Sequence, residues 1–340
     1  MATNVVNTVD EIEDRYEGLT DWSAGAVLYQ VLGSSTQRFL LHEVDQRVAR
    51  HQPSEHGQAI ETSTGSANSA GAGSTGSSSS GSTGSLPTDE VRVHQARVAM
   101  RRLRSTLRTF RTVVDPGWGT TFRGELAWYT SELGRLRDLD VLRNRLTDRS
   151  LPSDDADLAQ ILAIVARVMT VVRGQLAEIR TTERYAQLVE QMVTLREAPP
   201  FTMKATTSAR VTLTPMLHRT WCDTRAAARV ARKHPTAANL HALRIRLKGL
   251  RYGCETVALV EGETARSTAK QAARLQSKLG NLHDAATSAQ LLQGLGDIYP
   301  DLGGSVALLL ADQQVLATEA RKGWQSAFKD VERSWRRWQG

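Results

Sequence analysis

The feature that most restricts the fold of this chain is its internal recurrence. Arg47-Val48-Ala49-Arg50 returns as Arg229-Val230-Ala231-Arg232, each followed within three residues by a proline, Pro53 or Pro235. His94-x-x-Arg97 returns as His241-x-x-Arg244, with Arg101 and Arg104 following in one copy and Lys248 and Arg251 in the other. Leu133-Gly134-x-Leu136-x-Asp138 returns as Leu279-Gly280-x-Leu282-x-Asp284. Three blocks in one order imply a unit used twice. Between them the apolar spacing is helical, prolines fall at boundaries, and no stretch sustains a period-two alternation of β-branched residues. The expectation is an all-α chain of two pseudo-twofold-related four-helix bundles arising from an internal duplication. The first unit spans about residues 22–200 and the second about 201–340, after an N-terminal extension, 1–21. Helices are expected over 22–52, 88–114, 118–147, 154–196, 207–233, 236–260, 264–294 and 303–338, the fourth breaking near Arg180.

The copies differ between their first two helices, where the first carries 35 more residues. An insert over 54–88 accounts for the difference. Thr62 to Ser85 hold 10 Ser and 6 Gly with no charge and no large apolar side chain, so this segment cannot bury enough surface to offset its ordering entropy. It reads as a flexible coil rather than a phosphate-cradling loop, which is short and joins a strand to a helix.

The chemistry concentrates in the second helix of each copy. Val91 to Val114 contain seven arginines, one histidine and no acidic residue. Val93, Ala96, Met100, Leu103, Leu107, Phe110 and Val114 alternate spacings of three and four, a stripe that packs into a core. His94, Arg97, Arg101, Arg104, Arg108 and Arg111 keep the same rhythm one residue later, so they form a second stripe about 100° around the helix. In the other copy His241, Arg244, Lys248 and Arg251 stand beside Leu243, Leu247, Leu250 and Cys254. A solvated face mixes charge signs and supports its helix with pairs at i and i+4. These faces do not, which points to an external anion. Arg102 joins the set from the same helix, and Arg137 from the third, where Asp138 and Asp140 either orient it or pair with it. The Leu-Gly pairs at 133–134 and 279–280 read as close helix packing. Trp324, Phe328, Val331, Trp335 and Trp338 read as core.

Composition narrows the class. The chain has 43 Lys and Arg against 36 Asp and Glu, a formal charge of +7. Two cysteines, Cys222 and Cys254, make no disulfide framework. The apolar stretch Ile161 to Val172 is short and interrupted by Arg167, so no membrane span is expected. Residues 1–10 lack the pattern of a signal peptide. The expected location is cytoplasmic. Without a P-loop, a Gly-x-Ser-x-Gly elbow, a His-Glu-x-x-His pair or an acidic metal cluster, the reading is a non-catalytic binder that uses no metal or cofactor.

The run from His94 to Arg104, with Leu133-Gly134-Arg135-Leu136-Arg137-Asp138, resembles the CHAD domain, the conserved histidine α-helical domain. His241 to Tyr252 resembles the family's second basic helix, and Leu279-Gly280-Asn281-Leu282-His283-Asp284 its partner motif, with His283 where the family often has Asn. The resemblance covers about Trp22 to Gln339. It implies basic helices lining a common groove, binding of inorganic polyphosphate, and association with polyphosphate granules. His94, Arg97, Arg101, Arg102, Arg104, Arg108, Arg137, His241, Arg244, Lys248 and Arg251 are the expected polyphosphate contacts. Glu11-Ile12-Glu13-Asp14-Arg15 resembles the start of a triphosphate-processing domain that often precedes this one. Its enzymatic function is not carried over, because the first bundle helix starts near Trp22.

Polyphosphate is a flexible polyanion without base edges to read, and Arg suits it through paired charge-assisted hydrogen bonds. A nonspecific nucleic-acid-binding helical protein is the alternative. It shares the basic stripes but lacks here a helix-turn-helix, a zinc spacing or aromatics interleaved on the basic faces. Nothing in the sequence sets an oligomeric state.

Overall fold

A computed structural model of the protein describes residues 22–50, 89–148 and 156–339. The N-terminal extension and the expected Ser/Gly coil lie outside the described residues.

The fold is all-α. The helices are α1 (Ala24–Arg50), α2 (Asp89–Thr109), α3 (Pro116–Thr147), α4 (Ala156–Ile179), α5 (Glu183–Glu197), α6 (Ala209–Lys233), α7 (Ala237–Glu261), α8 (Glu263–Ile298), α9 (Gly303–Arg321) and α10 (Trp324–Gln339). One set packs α2 against α1 and α3, with α3 also on α4 and α1 on α5. The other packs α8 against α7, α9 and α10, with α6 on α7. The sets meet through α2 on α7 and α3 on α8, and a single apolar core runs through both.

Local chemistry explains the boundaries. All seven residues of the α2 apolar stripe are buried, from Val93 to Val114. The helix itself ends at Thr109, sooner than its pattern, the chain passing through turns over 110–113 before Asp115, extended ahead of Pro116, opens α3. Asp115 caps α3 by accepting from the Trp118 backbone N–H at 2.7 Å, and Val114 bridges to Phe201. The expected fourth helix is two helices. α4 stops at Ile179, and Thr182 caps α5 by accepting from the Tyr185 N–H. The expected last helix is also two, because Gly323 adopts φ +69, a conformation that favours glycine, between α9 and α10. Pro215 lies inside α6, where its ring removes one intrahelical donor. The C-terminal aromatics pack inward, with Trp335 stacked on Trp221 at 4.9 Å.

The break at Arg180 serves a buried polar knot. Glu43, on α1, is almost fully buried. Its Oε2 accepts from Tyr129 Oη at 2.9 Å, Tyr185 Oη at 3.0 Å and Arg180 Nε at 2.9 Å, while Arg180 Nη2 donates to Oε1. α1, α3, the α4–α5 junction and α5 are thereby tied at one carboxylate. Burial and the Glu43 charge push the Tyr129 phenol well above its ordinary value. Removing the acid strands a buried guanidinium, so Glu43→Ala should cost about 3–5 kcal/mol of stability by chemical denaturation. A loss below 1 kcal/mol would show that the knot contributes little.

Candidate functional site

The basic helices line one groove of about 1310 Å³. α2 and α3 line one side and α6 and α7 the other, with His283 and Asp284 of α8 at one end. α2 supplies His94, Arg97, Arg101, Arg104 and Arg108, the turn after it Arg111, and α7 supplies His241, Arg244, Arg246 and Lys248. The lining holds thirteen Arg or Lys and three His against three Asp.

Nine of the eleven expected contacts face this cavity: His94, Arg97, Arg101, Arg104, Arg108, Arg137, His241, Arg244 and Lys248. Arg102 and Arg251 do not. Both bind Glu255 of α7, at 3.4 Å and 2.8 Å: Arg102 ties α2 to α7 there, and Arg251 pairs with it along α7 itself. Arg102 stands one residue, about 100°, away from the groove stripe. Arg251 lies one turn past Lys248, where α7 already crosses α2. Arg137 lines the groove while pairing with Glu90 at 3.4 Å rather than with its neighbouring aspartates. Asp140 is buried and lies 3.6 Å from Arg143.

Other cations were not singled out by spacing. Arg123 and Arg135 of α3, Lys204 of the turn before α6, Arg219 of α6 and Arg246 complete the lining. They come from helices whose own patterns are mixed in charge, so only the tertiary arrangement gathers them. His283, flagged in the sequence as a departure from the family pattern, stands against His241 with ring centroids 4.7 Å apart at 45°.

The glycines of the recurring Leu-Gly pairs do not serve close backbone packing. At Gly134 a Cβ would meet Arg97 Nη1 at 2.6 Å, and at Gly280 the Arg244 guanidinium at 3.7 Å. Gly134 is thus the floor over which Arg97 reaches the groove, whereas at Gly280 a Cβ would make only ordinary contact with Arg244. Arg97 is further held by donating to the Thr130 carbonyl at 3.4 Å.

Charge crowding dominates the electrostatics. Burial, with Arg101 next in effect, lowers the Arg97 guanidinium to about 10. Burial and Arg244 bring the Lys248 amine from 10.5 down to about 7, and His283 down to about 4. His94 is lowered by burial and by Arg137, His241 by burial and by Arg244. Asp138 is raised by burial, against the pull of Arg97. The Nε atoms of Arg101 and Arg244 are buried without a hydrogen-bond partner. Unmatched donors at this density are what an anion with many oxygens satisfies. Among the described residues no cluster of three or more His, Cys, Asp or Glu has the geometry to hold a metal ion, and no helix is long and apolar enough to cross a membrane.

The family model of the CHAD domain matches residues 85–293, the span that contains both basic helices and both Leu-Gly motifs. The chain belongs to the CHAD family. Its fold is similar to the crystal structure of the CHAD domain from the plant Ricinus communis, at 21% identity over 92% of this chain and 94% of that one, with a TM-score of 0.67. It is also similar to PptA from Streptomyces chartreusis, at 20% identity over 90% and 99% of the two chains and a TM-score of 0.61. No curated protein matches the chain in sequence. CHAD membership fits a polyphosphate-binding role at the level of the family.

The Lys248 shift sets a sign for stability. Its folded value lies below its unfolded one, so between pH 7 and 10.5 the unfolded chain binds more protons and stability rises with pH. Lys248→Met should flatten that rise, measured by denaturant unfolding at pH 7 and pH 10 without added anion. An unchanged slope would place the Lys248 amine in a less crowded site.

Proposed function

We propose that this CHAD domain binds inorganic polyphosphate non-catalytically along the groove between α2 and α7, with the Arg, Lys and His stripes as its contacts. One observation carries the reading. Thirteen guanidinium or ammonium groups meet three carboxylates in one cavity, and Arg101 and Arg244 keep buried Nε donors without a partner. A linear chain of phosphates offers oxygens at every step and releases its condensed counterions on binding, so arginines spaced along a helix match it repeatedly. The recurrence of the two-part motif supports the same reading, since duplication supplies two basic helices to one groove. We infer association with polyphosphate granules from the same chemistry.

Arg97, Arg101 and Arg104 test the assignment together. Gln at all three keeps helix propensity while removing charge. Hydrogen bonds to charged groups contribute about 1.5–3 kcal/mol each in favourable settings, so the triple variant should lose at least about 100-fold in affinity. Titration with long-chain polyphosphate at two salt concentrations, with duplex DNA as competitor at matched phosphate, reads both affinity and class. Full affinity in a folded variant would overturn the site. Equal displacement by DNA would favour the nucleic-acid alternative.

The proton linkage gives a separate expectation. His94, His241 and Lys248 are depressed in the free protein by burial and neighbouring cations. A bound polyanion raises all three, so binding takes up protons and affinity rises as pH falls from 8 toward 6, the window that spans the Lys248 value of about 7 and the ordinary imidazole range. Isothermal titration in buffers of different ionisation enthalpy measures the uptake. Equal affinity at pH 6 and pH 8 with no proton uptake would exclude these groups from the interface.

A further inference from the structure

We propose that the groove end where α3 meets α8 is a subsite for the terminal phosphate of the polyanion, so that the chain is held end-on. This rests on the polyphosphate reading above and adds a polarity to it.

The two ends of the groove differ in burial. His94, Arg97, Arg101, His241, Arg244 and Lys248 are half-buried. Arg104, Arg108, Arg111 and Lys204 are exposed. One end is therefore the more enclosed, with Arg135 of α3 as its exposed member, and the other opens to solvent.

The enclosed end also stops. Along α3 the lining finishes at Val141, and the residues just beyond are already engaged. Asn144 donates to Glu90 at 2.8 Å, and Arg145 donates to Gln313 Oε1 at 2.7 Å and to the Asn281 carbonyl at 3.2 Å. These bonds tie α3 to α2, α8 and α9, in the direction a continuing chain would have to take. The charges of this end are already matched. Asp138 and Asp284 line it beside Arg135 and Arg137, and Glu90, one turn before His94 on α2, is paired with Arg137 and Arg143. The other lining carboxylate, Asp223, is paired with Arg246 at 3.2 Å. The stop therefore rests on the closed packing of α3 against α2, α8 and α9.

A chain end suits what is placed there. An internal phosphate carries one charge, whereas a terminal one resembles a phosphomonoester, with three acceptor oxygens and about two charges near neutrality. His241 and His283, 4.7 Å apart, stand with Arg244 and Lys248 at this end. Imidazole donates one N–H even when neutral, the form in which burial and the neighbouring Arg244 hold His241 and His283 in the free protein. From this anchor the chain leaves past Arg104, Arg108 and Arg111.

The test is stoichiometry and end chemistry with the full protein. Linear polyphosphate of a short and a long defined length is titrated to saturation, and each is compared with the same chain whose terminal phosphates are capped as alkyl esters. End-on binding predicts two proteins per linear chain at either length and a loss of about tenfold on capping, the scale of one charge-assisted hydrogen bond. In H241Q/H283Q the ratio of uncapped to capped affinity should fall toward one. Occupancy that grows with chain length, with capped and uncapped chains bound alike, would overturn the end subsite while leaving polyphosphate binding intact. Failure of both chains to bind would overturn the polyphosphate reading itself.

Discussion

The groove exists because packing holds together cations that would otherwise move apart. Along α2 the basic positions recur at i, i+3 and i+4, an arrangement that weakens an isolated helix. The opposite face offsets this. From Val93 to Phe110 every residue of the apolar stripe is buried against neighbouring helices, so the helix is fixed by burial and its charged face follows. Arg102 pins α2 to Glu255 of α7, which Arg251 holds from its own helix, and so two like-charged helices are brought into contact without using a groove residue as the clamp. The lowered proton affinities of Arg97, Lys248 and His283 are the electrostatic record of that constraint.

Spacing made much of this legible in advance. The helical class, the core stripe of α2 and the inward face of α7 follow from periodicity, and nine expected contacts meet in one cavity because a stripe beside a buried stripe has few places to point. What spacing could not supply were side chains contributed by other helices. Arg123, Lys204 and Arg219 lie in segments whose local charge is mixed, and nothing in their own sequence separates them from solvated residues. Arg102 and Arg251 stand outside the cavity for a rotational reason. A basic residue adjacent to a stripe, or at its far end, needs only a fraction of a turn to meet a carboxylate instead, on the neighbouring helix for Arg102 and on its own for Arg251.

The glycine motif is instructive in another way. Leu-Gly at 133–134 and 279–280 suggested helices in close contact, yet the neighbour of each glycine is an arginine side chain, and at Gly134 that side chain fills the space a Cβ would need. The recurrence was visible, but its purpose lay on another helix. Likewise Gly323, an ordinary glycine in a helical pattern, divides what reads as one helix into α9 and α10. In both cases the residue's role is set by what must pass by it.

The attachment of α1 bears on how the chain assembles. The backbone N–H of Ala24 donates to the Thr207 carbonyl and that of Ala209 to the Trp22 carbonyl, while Glu43 reaches Arg180, so this first described helix is secured by partners far along the sequence. Lengthening the connection between α1 and α2 adds little to the free energy of closure, about 0.6 kcal/mol per doubling of a flexible loop. It does not shorten the search that α1 must make for partners emerging much later in synthesis. Contacts of such long range slow folding more than they weaken the finished fold. The ties of α1 to Thr207, Ala209 and Arg180 therefore close only after those residues have been made, whereas its packing on α2 can form as soon as α2 exists.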